Sequence, residues 1–168
     1  RFHNFNQPLE GWNVASVTNM HFMFAGAKFF NQPLNAWNVS GVTDMSGMFS
    51  RAPNFDHPLN QWKVDNVTDM SYMFFGATKF NQPLNGWNTG MVTTMNSMFD
   101  GALKFNHNLN GWDVSKVLDM SWMFADSEFI GGDPGGTIFD QPLSNWNLNS
   151  VTNLQFMFAG AFHFNQPL

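Results

Sequence analysis

Cysteine is absent from this 168-residue chain, and charged side chains make up only 11 % of it. Without cysteine, neither disulfides nor thiolate metal sites are possible. Seven Lys plus Arg against twelve Asp plus Glu give a net charge of −5, which argues against nucleic acid or an anionic membrane as a partner. No apolar run approaches the ~18 residues of a membrane span, so we expect no direct membrane insertion by this segment.

Repetition is the dominant feature of the sequence. A period between 20 and 50 residues is typical of stacked repeat proteins. We therefore predict a single repeat domain over residues 1–168, with about six repeats, as part of a longer chain because it begins and ends within a repeat. The tryptophans that define the 25-residue period are Trp12, Trp37, Trp62, Trp87 and Trp112, followed after a longer gap by Trp146.

The longer gap indicates an insertion. The Phe-Asp-Gln-Pro-Leu signature is expected near Ile130 and appears at Phe139, so nine residues have been added within 126–138. The inserted stretch is rich in glycine, and the repeat pattern resumes in phase after it. An insertion that leaves the pattern intact on both sides predicts a surface loop.

Two local patterns occur within each repeat. Leu34, Trp37 and Val39 match a short strand with one buried face. The later residues Met45, Met48, Phe49 and Ala52 follow the spacing of one helix face, and Thr43 and Asp44 before them are typical N-caps. Glycines two residues after the phenylalanine would end the helix; they are Gly26, Gly76, Gly101 and Gly160.

Together these patterns predict a leucine-rich-repeat-like solenoid of short parallel β-strands and short helical turns, with one 25-residue repeat per coil. Stacking would place each side chain on its counterpart, Phe on Phe and Trp on Trp. A column of Asn and Asp should hydrogen-bond to backbone groups in the turns. Its members are Asn6, Asn31, Asp56, Asn81, Asn106, Asp140 and Asn165.

Catalytic chemistry has little support in the sequence. His57 and His107 replace Gln in the Asn-Gln-Pro-Leu motif two repeats apart, too far to share a metal. No nucleophile–His–acid set or phosphate loop is present, so we predict no enzyme, no cofactor and no metal. Asp44, Asp69 and Asp119 form a column that could cap helices or bind calcium. Capping is favoured, because Asn and Thr occupy the same column in other repeats.

A variable column between the two Met positions is the sharper functional signal. Its members differ too much in size for a core position, since they include Gly, Ser and aromatics. Exposed aromatics are enriched in binding hot spots; the competing interpretation is scattered surface aromatics or contacts with the flanking loop. The variable column comprises Phe22, Gly47, Tyr72, Ser97, Trp122 and Phe156, and the binding residues predicted from it are Phe22, Tyr72, Trp122 and Phe156.

A second candidate surface lies beside the tryptophans, on the exposed face of the predicted strand. Its amide-rich character would suit a glycan or a peptide backbone, and a plain solvated strand is the alternative. We name this set the polar column; it comprises Asn13, Asn38, Lys63, Asn88, Asp113 and Asn147.

The motifs Trp-Asn-Val-Ser-x-Val-Thr-Asp-Met-Ser-x-Met-Phe and Phe-Asn-Gln-Pro-Leu resemble those of BspA-like bacterial surface proteins, which carry 25- or 26-residue repeats related to leucine-rich repeats. The resemblance covers the chain apart from the insertion. One departure is that valine (Val17 in the first repeat, Val42 in the second) lies where leucine-rich repeats usually have Asn or Cys. The resemblance implies a cell-surface or extracellular protein and supplies no catalytic residues.

We therefore expect a non-catalytic binding or adhesion module that recognises protein or glycan. The alternative is a purely structural subunit packed into a larger multi-protein assembly. Exposure of the aromatic residues in solvent would favour recognition, whereas their burial against another chain would favour assembly.

Overall fold

In the computed structural model, which describes residues 4–127 and 135–168, consecutive repeats stack but form no α-helix and no β-strand longer than a single bridge. The leucine-rich-repeat solenoid of strands and helical turns predicted from the sequence is therefore wrong. One residue per repeat pairs in parallel with its counterpart in the next. The bridges are Asn19–Asp44, Asp44–Asp69, Asp69–Thr94, Thr94–Asp119 and Asp119–Asn153.

Tight turns replace the predicted strand. The Trp37 N–H donates to the Leu34 carbonyl at 3.0 Å, and the Val42 N–H donates to the Val39 carbonyl at 2.9 Å. Two turns within nine residues leave no extended segment for a ladder. The burial part of the prediction is confirmed, because Leu34, Trp37 and Val39 are all buried.

The predicted helix is also replaced by turns, and its backbone donors alternate between two kinds of partner. The Met48 N–H bonds to the Met45 carbonyl three residues back, whereas the Gly47 N–H bonds across to the Ser71 carbonyl of the next repeat at 2.7 Å. A helix is excluded because Gly47 and Arg51 have φ of +59° and +54°, and left-handed residues interrupt right-handed helical geometry.

The core consists of two parallel stacks of phenylalanine rings. Phe30, Phe55 and Phe80 follow one another with ring centroids 6.0 Å apart. A second stack runs beside the first, and Phe49 contacts Phe55 across the two at 4.0 Å. Trp62, Trp87 and Trp112 stack with centroids 6.4 Å apart. The predicted like-on-like packing is thus confirmed, and it depends on turns rather than on strands.

The Asn and Asp column performs the predicted task. The Asn31 N–H donates to Asn6 Oδ1 at 2.9 Å, and the Asp56 N–H donates to Asn31 Oδ1 at 3.0 Å. The same bond continues through the stack to the Asn165 N–H and Asp140 Oδ1. An indole N–H also donates to a leucine carbonyl of the preceding repeat, as Trp62 does to Leu34 at 3.0 Å. The same bond is made by Trp37, Trp87, Trp112 and Trp146. Every repeat therefore supplies acceptors that its neighbour requires.

Stacking continues across the insertion. Asp119 pairs with Asn153, so the separation of matching residues rises from 25 to 34. At the first edge of the insertion, the Ser127 N–H donates to Oδ1 of the buried Asp100 at 2.8 Å. The central part of the predicted loop, 128–134, lies outside the described residues. Among the described residues, no helix is long and apolar enough to cross a membrane.

Candidate binding surface

The backbone aligns the variable column along the stack. The Phe22 N–H donates to the carbonyl of Ser46, the residue just before Gly47, at 2.8 Å. The same bond links each member to the next repeat, through Gly47, Tyr72, Ser97 and Trp122, at 2.7–3.0 Å. The column is therefore one line of side chains, with neighbouring members one repeat apart.

All members of the variable column have a left-handed backbone. Phe22, Tyr72, Trp122 and Phe156 have φ between 52° and 60°, the same region that Gly47 and Ser97 occupy. The turn over residues 20–23 requires the positive φ. The Met23 N–H donates to the Met20 carbonyl, and Phe22 is the third residue of this turn. For a side chain with a Cβ this conformation costs about 1–2 kcal/mol relative to the right-handed region.

Exposure divides the column into platforms and gaps. Phe22, Tyr72 and Phe156 are 51 %, 40 % and 51 % exposed, whereas Ser97 is only 4 % exposed. The Phe22 ring lies over Gly47, where an added Cβ would collide with it. Trp122 is half-buried and contacts Phe156, with ring centroids 4.5 Å apart. Three separate aromatic platforms result: Phe22, Tyr72 and the Trp122–Phe156 pair.

A cation lies beside the central platform. The Arg51 guanidinium is 5.3 Å from the centroid of the Phe75 ring, and Phe75 meets Tyr72 edge-on at 5.9 Å. Arg51 also has a left-handed backbone, and its side chain runs along Gly76. The sequence analysis did not identify the cluster of Arg51, Phe75 and Tyr72. Arg51 occupies the column that glycine fills in most other repeats. An arginine in a glycine column was the available signal.

The polar column is exposed, as expected for a surface position, but it has an internal task. Asn38 Oδ1 accepts the Ser40 N–H at 3.2 Å and the Ser40 hydroxyl at 2.7 Å. Asn13, Asn88, Asp113 and Asn147 likewise accept the N–H two residues further on. Bonds from the Ser115 hydroxyl and N–H lower the pKa of Asp113. Side chains of the polar column, except Lys63, therefore stabilise turns. A binding role for the polar column stays a prediction.

The column of Asp44, Asp69 and Asp119 also stabilises turns. Asp44, Asp69 and Asp119 each accept the N–H of the serine two residues later at 2.8–2.9 Å. They cap no helix, so the predicted helix-capping role is wrong; each instead accepts a backbone donor within a turn. Within residues 4–127 and 135–168, no group of three or more His, Asp or Glu could hold a metal ion. His57 and His107 each contact a backbone carbonyl of the preceding repeat through Nε2.

Two apolar hollows lie at the two ends of the described stack. One, of about 470 Å³, is lined by residues that include Leu143, Trp146 and Met157. The other, of about 240 Å³, is lined by residues that include Leu9, Trp12 and Phe24. Interior repeats cover the same positions with the next repeat, so these hollows mark uncovered repeat faces rather than a separate site.

The comparison with protein families supports the repeat character of the chain. The family described as "Mycoplasma protein of unknown function, DUF285" matches residues 1–82 and again residues 84–168. No curated protein and no solved structure matches the chain. Because the two matches cover both halves of the sequence, the chain belongs to the DUF285 family.

Proposed function

We propose that this chain is a non-catalytic recognition module of a cell-surface or extracellular protein, and that it binds a protein or glycan through the variable column. The location rests on the resemblance of the repeat motif to BspA-like surface proteins. The binding role rests on the placement of four aromatic residues in a column where the backbone favours glycine.

One observation carries the proposal. Gly47 takes the same φ as Phe22, Tyr72, Trp122 and Phe156, so the turn itself needs no aromatic side chain. An aromatic residue here retains a strained backbone and, in Phe22, Tyr72 and Phe156, leaves much of its ring in water. Strained residues that the fold does not require are typical of ligand-binding positions. Exposed aromatics in turn contribute strongly to binding when a partner covers them.

The test uses a variant that suits the backbone better than the wild type. Phe22→Gly, Tyr72→Gly and Phe156→Gly together remove the exposed rings and place glycine at positive φ. Fluorescently labelled wild-type protein should bind intact cells or extracellular-matrix proteins, and the triple variant should lose at least about tenfold in affinity, since hot-spot side chains each contribute 2 kcal/mol or more.

A matched control removes exposed apolar side chains from other columns. Phe29→Asn combined with Leu118→Thr restores the residue types found in the same columns at Asn54 and Thr93. Phe29 and Leu118 are 48 % and 50 % exposed, comparable with the column aromatics. The control should bind like the wild type. Equal loss of binding in both variants would contradict a role for the variable column.

A second candidate function is a structural subunit of a larger assembly. Exposed apolar side chains outside the variable column favour it, since Phe29 and Leu118 are 48 % and 50 % exposed. In that case the labelled chain would bind neither cells nor matrix. It would instead co-purify from its native source in a complex of defined composition, which Phe29→Lys or Leu118→Lys would disrupt while the triple glycine variant would not.

A further inference from the structure

We infer that the ligand of the variable column is a neutral, extended β-1,4-linked sugar chain that lies along the stack. This inference depends on the proposed function, since it names the ligand of the same surface. It follows from the arrangement of the aromatic platforms, from their separation, and from the chemistry of the groups beside them.

The platforms lie on one line. Backbone hydrogen bonds join each member of the variable column to the next repeat. Phe22 and Tyr72 are two repeats apart, which is roughly 10–12 Å, given bonded backbones ~4.8 Å apart and core rings 6.0 Å apart. Tyr72 and Trp122 are separated by the same two repeats. An evenly spaced line suits a ligand that is itself linear and periodic.

The separation of the platforms disfavours a globular protein as the partner. Protein–protein hot spots cluster near the centre of an interface and are enclosed by a rim that excludes water. Here, Gly47 separates Phe22 from Tyr72, and the buried Ser97 separates Tyr72 from Trp122. Each platform is one or two rings wide. Such isolated rings match the width of single sugar units better than the pockets that anchor side chains of a protein.

A β-1,4-linked chain offers C–H groups that the exposed parts of these rings can contact. In such a chain the hydroxyls are equatorial, so each sugar presents C–H groups above and below its ring. Aromatic faces are electron-rich and attract the slightly positive hydrogens of C–H groups. The equatorial linkage also keeps the chain extended, so successive sugars can meet successive platforms.

Neighbouring polar groups are suited to hydroxyls. The residues just before the column members are His21, Ser46, Ser71, Asn96, Ser121 and Gln155, none of which is Asp, Glu, Lys or Arg. His21 and Gln155 are exposed and Asn96 is half-buried. A neutral ligand rich in hydroxyl groups fits amide and hydroxyl neighbours without needing a matching charge.

The experiment titrates the whole chain with two series of oligosaccharides by isothermal titration calorimetry. One series is β-1,4-linked glucose and the other β-1,4-linked N-acetylglucosamine, each from two to eight units. Affinity for at least one series should rise at least about tenfold at the length that first reaches two platforms, because the second contact becomes intramolecular. Shorter oligosaccharides should bind weakly, with little dependence on length.

Two variants test the placement of the ligand. Tyr72→Gly removes the central platform and should move the step in affinity to longer oligosaccharides, because the remaining platforms are four repeats apart. Leu118→Thr removes an exposed apolar side chain elsewhere and should preserve the step. Absence of binding at millimolar concentrations, an affinity independent of length, or a step that stays at the same length in Tyr72→Gly would each overturn the inference.

Failure of this inference is distinguishable from failure of the proposed function. If the triple glycine variant loses binding to cells or matrix but neither sugar series binds the wild type, the column recognises another ligand and only the glycan inference fails. If neither the cells, the matrix proteins nor the sugars bind the wild type, both fail.

Discussion

The buried phenylalanine stack and the exposed variable column lie two residues apart on the same segment, yet they differ in every respect that matters for function. Phe74 is fully buried, and its ring stacks on Phe49 and Phe99 at 5.7 and 5.6 Å. Tyr72 is 40 % exposed and has a left-handed backbone. The first position is phenylalanine in every complete repeat, whereas the second ranges from Gly to Trp. Packing restricts the first position to phenylalanine, whereas the second accepts side chains of very different size on a left-handed backbone.

The largest effect should come from breaking the buried stack. Phe74→Ala removes a ring that also contacts Phe80 at 4.0 Å. We expect the free energy of unfolding to fall by about 3–5 kcal/mol, the usual range for loss of a buried aromatic. Urea denaturation measures it. A loss below 1 kcal/mol would show that the ring stacks do not hold the repeats together.

A smaller effect should follow from adding a side chain where the column has none. Gly47→Ala places a Cβ at φ +59° and under the Phe22 ring. We expect a loss of about 1–3 kcal/mol from backbone strain, measured by urea denaturation. The double variant Phe22→Gly with Gly47→Ala is the control. It should recover part of the loss, because the collision with the ring is gone and only the strain remains.

The Asn and Asp column that includes Asn81 should contribute less to stability than the phenylalanine stacks. Asn81→Ala removes the oxygen that accepts the Asn106 N–H at 3.2 Å. The expected loss is about 0.5–1.5 kcal/mol, the net value of one hydrogen bond. Asn81→Asp is the matched control, since Asp56 and Asp140 perform the same task in this column. Thermal denaturation should show Asn81→Asp to be closer to the wild type than Asn81→Ala.

The smallest predicted effect is a dependence on pH. Bonds from the Asn165 N–H and the Gln166 side chain lower the pKa of Asp140 in the folded chain. Its contribution to stability is therefore present above the unfolded pKa of about 3.9 and lost as the pH falls through the lower folded value. Asp140→Asn keeps an oxygen acceptor and cannot titrate. Its unfolding free energy should fall less steeply than that of the wild type in this acidic range.

Sequence patterns identified what is buried but not how the backbone arranges it. The 25-residue period, the burial of Leu34 and Trp37, and the Asn ladder were all predicted, because packing and hydrogen bonding act on residue type at a given spacing. The secondary structure was wrong. Met45, Met48 and Phe49 match a helix face, but the same spacing arises from successive turns when residues such as Gly47 and Arg51 adopt positive φ.

The sequence revealed the variable column by its variation, but it did not reveal that the column has a left-handed backbone. Gly47 was the available signal, since glycine at one position of a column indicates a positive φ, which all members of this column share. Glycines at Gly26, Gly76, Gly101 and Gly160 were interpreted as helix stops, although they too lie at positive φ within turns. The exposure of each ring depended on its neighbours in the stack, which no single repeat contains.

The most direct measurement compares Tyr72→Gly with Phe74→Ala by urea denaturation, side by side with the wild type. The central claim is that the fold requires the ring at position 74 and does not require the ring at position 72. Tyr72→Gly should change the free energy of unfolding by no more than about 1 kcal/mol, since relief of strain offsets the lost edge contact and the greater freedom of the unfolded chain. A loss comparable to that of Phe74→Ala would contradict the claim, because the variable column would then be part of the core.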